Sequence, residues 1–133
     1  MGRARTLLCA VAAAGCAGRV SGTLQIDGAP FKPTECWSGA RYGVAGVQLA
    51  DAAGKRVRAS IDLIRPEQGI AQVIVFEPGQ ARTWEPALFC GRMTIRNQAG
   101  RAGNYRNVEG SADLSCATEA HTIAGHVDFA YCH

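Results

Sequence analysis

Between Arg56 and Leu63 every second residue is apolar. Val57, Ala59, Ile61 and Leu63 alternate with Arg56, Arg58, Ser60 and Asp62. A period of two is that of a β-strand with one face in a core and the other in water. Residues 109–116 and 125–131 repeat the pattern, which predicts strands there as well. Residues 70–76, Ile-Ala-Gln-Val-Ile-Val-Phe, are apolar at nearly every position, as for a strand covered on both faces. Weaker strand patterns run over 20–26, 44–49 and 93–96. Asp27-Gly28, Ala53-Gly54, Pro78-Gly79, Ala99-Gly100 and Ala102-Gly103-Asn104 supply turn chemistry between these segments. No window beyond the first 15 residues keeps a helical period.

Short strands with turn signals at this spacing predict an all-β domain, an antiparallel β-sandwich or a partly closed barrel. Neighbours are expected to be antiparallel, because no crossover helices are visible to return parallel strands. The last two strands can be set in register. If 117–122 closes symmetrically, Cys116 faces Ile123, Leu114 faces Gly125 and Ala112 faces Val127, which lays apolar residues on apolar ones.

The N-terminus departs from this pattern. Arg3 and Arg5 precede an apolar or small run from Thr6 to Gly15, the basic and hydrophobic parts of an export signal. About ten apolar residues are half of the roughly 20 that span a bilayer as a helix, so a permanent transmembrane anchor is not expected. Such a signal would be helical if retained. The chain thus divides into a signal over 1–15, a short N-terminal linker over 16–20, and a β domain over 21–133.

Ala13-Ala14-Gly15-Cys16 resembles the lipobox of bacterial lipoproteins, with Ala13 in place of the preferred leucine. The resemblance implies acylation of Cys16 and attachment to a membrane by two or more acyl chains, where one would hold only marginally. It also implies a place in the bacterial cell envelope. Ala17, at the position after the cysteine, is not the aspartate that retains such proteins on the inner membrane, so the outer membrane is favoured.

Cysteine arithmetic bears on the same point. Of Cys9, Cys16, Cys36, Cys90, Cys116 and Cys132, the first lies inside the signal. A cut after Ala14 leaves five cysteines, an odd number for an oxidising compartment. Acylating Cys16 leaves four, enough for two disulfides. A cut after Ala17 also leaves four and would release a soluble periplasmic or extracellular protein, which is the alternative reading.

Removing 1–15 takes two arginines away, so 14 basic residues become 12 against 11 acidic ones, a net charge of about +1. There is no basic stripe with interleaved aromatics, and no nucleic-acid partner is expected. Arg56 and Arg58 read as the solvated face of their strand. The remaining 118 residues (133 − 15) are one ordinary domain.

The chain has no G-x-S-x-G, H-E-x-x-H, P-loop, G-x-G-x-x-G or C-x-x-C. Without a nameable nucleophile–base pair, a non-catalytic module with no cofactor is expected. His126 and Asp128 share a strand face and could begin a metal site. His133 has the opposite parity, however, and His121 falls in a loop, so no metal site is expected and the histidines read as surface groups. Trp37 and Trp84 could line a glycan platform or ligand cleft. With nine aromatic residues in all, the core has first claim on them. By elimination, a binding surface for a protein or small-molecule ligand is placed at 83–89 and 101–107.

The layout of signal, lipobox and glycine-rich β domain is similar to small bacterial lipoproteins and, more distantly, to actinobacterial lipoprotein antigens. Gly110-Ser111-Ala112 and the closing Phe129-Ala130-Tyr131-Cys132 are its best local points, and it carries no catalytic residue across. The expected function is that of a tethered envelope module, structural or binding; the alternative is a secreted binding or inhibitor-like domain.

Four cysteines allow three pairings. Strand parity turns Cys132 and Cys36 away from the main apolar face and puts Cys116 with Ala112 and Leu114. The pairing this favours is Cys36–Cys132 as an outer bridge and Cys90–Cys116 as an inner one.

Overall fold

Nine strands carry the alternation into two antiparallel sheets in the computed structural model, which describes residues 18–79, 86–102 and 105–133. The five-stranded sheet holds β1 (Arg19–Ile26), β2 (Ala29–Phe31), β7 (Gly91–Ala102), β8 (Tyr105–Ala117) and β9 (Thr122–Cys132), in the order β2-β1-β9-β8-β7. The four-stranded sheet runs β3 (Glu35–Ser38), β4 (Gly46–Ala50), β5 (Arg56–Ile61) and β6 (Ala71–Phe76) in sequence order. Two open sheets sharing one core make an antiparallel sandwich, and the described residues form no closed barrel. Gly39–Tyr42 and Pro66–Gln68 form short 3-10 turns.

The inward positions of each strand are those the alternation assigns. Val57 and Ala59 of β5, Ala112 and Leu114 of β8, and Val127 and Phe129 of β9 are buried in a single cluster. Cys116 pairs with Ile123, Leu114 with Gly125 and Ala112 with Val127, the expected register. Two disulfides are present, Cys36–Cys132 and Cys90–Cys116. The first joins the two sheets.

Several expectations are corrected. Cys132 does not point away from the apolar face; it is fully buried. Gly110 pairs with Phe129 but Val108 pairs with Cys132, so β9 uses three residues where β8 uses two. The extra residue makes a bulge and reverses the parity beyond it. Within it Tyr131 has φ +55°, and its N–H donates to Gln98 Oε1 at 2.6 Å. Cys36 is buried as well, and Trp37 turns outward. The extended run assumed from Phe31 to Trp37 breaks after β2, and β3 belongs to the other sheet, so parity does not carry across.

The strand covered on both faces is β4, all five residues of which are buried. The expected one, β6, lies at the sheet edge with Gln72 and Ile74 half-buried. Ala99-Gly100 is not a turn but lies inside β7, where the pairing with β8 shifts between Asn97 and Arg101. The strand expected over 20–26 is β1, which begins one residue earlier, at Arg19.

Gly110 sits where β7 crosses closest, and a Cβ there would collide with the Thr94 carbonyl oxygen. The backbone on both sides is fixed in the sheet, so Gly110→Ala should cost roughly 1–3 kcal/mol, the range of overpacked cores. Urea unfolding at neutral pH measures this, and a loss under about 0.5 kcal/mol, the ordinary surface range, would contradict the close approach.

Candidate functional site

On the four-stranded sheet the inward row Cys36, Leu49, Val57 and Val75 alternates with an outward row, Trp37, Gln48, Arg58 and Ile74, each directly opposite the next. Gln48 faces outward, yet it is only 1% exposed. A buried amide must find partners. Its Nε2 donates to Tyr42 Oη at 3.0 Å, and its Oε1 accepts from Arg58 Nε and Nη2 at 3.1 and 2.9 Å.

Local sequence brings Tyr42 there. Ser38 caps the 3-10 turn Gly39–Tyr42, its side chain accepting from Ala40 N at 3.2 Å. Gly43 ends the turn in the left-handed region at φ +76°. Gly39 lets the turn close on β4, since a Cβ would approach the Gly46 backbone to 2.7 Å. The Arg58 guanidinium then lies 4.2 Å from the Tyr42 ring centroid and 4.9 Å from that of Phe76, with Arg56 5.2 Å from Phe76. Such cation–π contacts strengthen as the cation loses water.

Burial is the main influence lowering the Arg58 pKa, and Arg56 nearby adds to it. A guanidinium still keeps its charge at any physiological pH. No carboxylate forms an ion pair with Arg56 or Arg58 among the described residues. Gln48 takes one edge of the Arg58 fork and leaves N–H groups on the other, and the Tyr42 hydroxyl, already an acceptor, keeps its hydrogen. The face therefore offers donors and positive charge beside aromatic rings, a chemistry suited to an oxygen-rich anion.

The expectations for individual residues fare differently. Trp37 is not claimed by the core but stands half-buried on this outer face, and Arg58 is half-buried where a solvated position was expected. Cys16, Trp84 and residues 83–85, 103 and 104 of the expected binding stretches lie outside the described residues. Leu88 and Phe89, within the first stretch, are 54% and 69% exposed. Sequence reasoning missed Gln48 and Tyr42. The available signal was a lone amide inside the apolar run Gly46-Val47-Gln48-Leu49-Ala50, which demands a polar partner on the same face.

His126 is exposed, whereas His121 and His133, expected at the surface, are half-buried, and all three are engaged. His121 Nδ1 lies 2.7 Å from Asp27 Oδ2, while Thr122 N donates to Asp27 Oδ1 at 2.9 Å, tying the β1–β2 turn to the β8–β9 turn. These bonds hold the Asp27 carboxyl below its usual range. Oxygens of Asp27 and Glu77 and a nitrogen of His121 come within 4.8 Å of one another, where no metal-ligating group was expected. Each already has a partner, Glu77 pairing with Lys55 at 3.4 Å, and the arrangement reads as a clasp between turns. His133 lies apart, its carbonyl accepting from Arg41 Nε at 2.6 Å.

His126 sits between two carboxylates. Its Nδ1 is 2.5 Å from Asp113 Oδ1 across the β8–β9 pair, and its Nε2 is 3.0 Å from Asp128 Oδ2. The Asp113 bond, then the Asp128 bond, raises its pKa above the ordinary 6.5. A raised pKa stabilises the fold fully below about pH 6.5, and the contribution fades as pH climbs through the folded value. His126→Gln should therefore lower the unfolding midpoint at about pH 5.5 and have a smaller effect at about pH 8.5. Equal shifts at the two pH values would contradict the carboxylate pairing.

No protein-family model matches this chain, and no match was found among curated proteins or solved structures.

Proposed function

We propose that this chain is a lipid-anchored bacterial envelope protein, held by acylated Cys16, whose β domain binds an anionic, oxygen-rich ligand without catalysing a reaction. One observation carries the binding part: Arg58, braced by a buried glutamine between two aromatic rings, has no acidic partner among the described residues. A preformed cation loses little freedom on meeting its ligand. Carboxylate-bearing polysaccharide fits the combination of positive charge, the Tyr42 hydroxyl donor, and the Trp37 and Tyr42 rings.

The anchor part is supported by sequence and by cysteine usage. The two disulfides consume Cys36, Cys90, Cys116 and Cys132 and belong to an oxidising, non-cytoplasmic compartment. Cys9 and Cys16 remain, and Cys16 stands in the lipobox-like Ala13-Ala14-Gly15-Cys16. The Ala17 beside it favours the outer membrane. A soluble form cut after Ala17 uses the four remaining cysteines in the same way and is the competing reading.

Two experiments test these parts separately. Intact mass of the mature protein should show a chain beginning at Cys16 with acyl groups and two disulfides, and Cys16→Ser should leave the detergent phase. Mass for a chain starting at Gly18 would establish the soluble reading instead. For the ligand, affinity electrophoresis through polygalacturonate should retard the protein, with uncharged dextran as control. Arg58→Gln should lower the retardation about tenfold, the order of one charge-assisted hydrogen bond. Equal migration of parent and variant would remove this face from the reading.

A further inference from the structure

Arg19 opens β1 only three residues after Cys16. Three residues reach about 10 Å at full extension. An acyl group on Cys16 therefore keeps the Arg19 end of the domain on the membrane surface, without a linker long enough to let it turn away.

That end has a definite composition. Gly18 lies against the intersheet bridge, where a Cβ would come 2.5 Å from Cys36 Sγ and 3.2 Å from the Tyr131 carbonyl oxygen. The Arg19 guanidinium stacks 4.8 Å from the Tyr131 ring centroid. Two residues on, the His133 carbonyl accepts from Arg41 Nε, and the Arg41 guanidinium stacks 4.9 Å from the Tyr105 ring centroid. Two Arg–Tyr stacks thus flank the point where the chain meets the domain. Arg19 and Arg41 are exposed, and both tyrosines are half-buried. Neither arginine forms an ion pair with an Asp or Glu side chain among the described residues.

We propose that this end of the domain docks on the anionic headgroup layer of a phospholipid bilayer, with Arg19 and Arg41 taking lipid phosphates and Tyr105 and Tyr131 seated at headgroup depth. The proposal rests on acylation of Cys16. A guanidinium matches two phosphate oxygens with parallel N–H groups. Tyrosine, apolar in its ring and polar at its tip, prefers the membrane–water boundary. Arginines near an anionic surface are drawn to it, and the attraction falls off within a Debye length. Stacking on the tyrosines holds the forks in place before they meet a phosphate, so less side-chain freedom is lost on docking.

The test uses the acylated full-length product, added from detergent to preformed vesicles of phosphatidylglycerol with phosphatidylcholine, or of phosphatidylcholine alone. Arginines are labelled with hydroxyphenylglyoxal and read by peptide mass spectrometry, with exposed Arg65 on the β5–β6 loop as the internal reference. Arg19 and Arg41 should label several-fold more slowly on the anionic vesicles than on the neutral ones, relative to Arg65. Equal labelling on the two vesicle types, whether fast or slow, overturns the proposal, since anionic headgroups would then not be what covers this end. Intact mass of the same sample reads the acyl groups independently. Their absence would defeat the anchor reading and this docking with it, whereas equal labelling of an acylated protein defeats the docking alone.

Discussion

The Cys36–Cys132 bridge ties the edge strand of one sheet to β9 in the middle of the other, and it forms only because the β9 bulge turns Cys132 inward. β3 has just four residues and one strand neighbour, so hydrogen bonds alone would hold it weakly. Covalently fixed, it becomes a firm base for the adjoining turn. Ser38 caps that turn, the turn sets Tyr42, and Tyr42 closes over Gln48. Closing a loop of this length, a sequence separation of 96, removes roughly 4–5 kcal/mol of freedom from the unfolded chain in the entropy model. The outer face of the four-stranded sheet inherits its order from that single link.

The two outer faces of the sandwich illustrate two ways of finishing a sheet. On the five-stranded sheet, Asp113, His126 and Asp128 satisfy one another, Arg96 pairs with Glu109, and the Thr94 and Ser111 hydroxyls meet at 3.3 Å. Cross-strand pairs of this kind satisfy the surface from within. On the four-stranded sheet Arg56 and Arg58 rest on rings and an amide, and no carboxylate among the described residues pairs with them. That contrast, more than any motif, separates a face that is complete in itself from one that has bonding capacity to spare.

Much of the fold was legible in the residues because period-two alternation is a direct record of which face is buried. It located β5, β8 and β9 and fixed the register of the last pair through Cys116, Leu114 and Ala112. It failed where the period is interrupted. A bulge leaves no mark in hydropathy, so Cys132 was placed on the wrong side, and a three-residue strand such as β2 is too short to show a period. The outward row of the four-stranded sheet was obscured for a different reason. Trp37 counts as core by hydrophobicity, and Arg58 counts as surface by charge, yet they meet in one outward row. Only the pairing of β3, β4 and β5 puts them beside Gln48, bringing together Trp37 and Arg58, which are 21 positions apart (58 − 37).

The covalent link also governs how the domain would bear a load. Tension applied through the N-terminus and resisted near His133 runs along β1, β2 and the segment to Cys36, crosses the disulfide, and leaves through Cys132. Residues 37–131 are bypassed and cannot be drawn out. Only the stretch from Gly18 to Cys36 can unravel, which at full extension is about 60 Å of slack. Under a pull that strips β1 from β9, the strands bearing Gln48 and Arg58 carry none of the load, and the domain behaves as a short extensible leash of fixed maximum length.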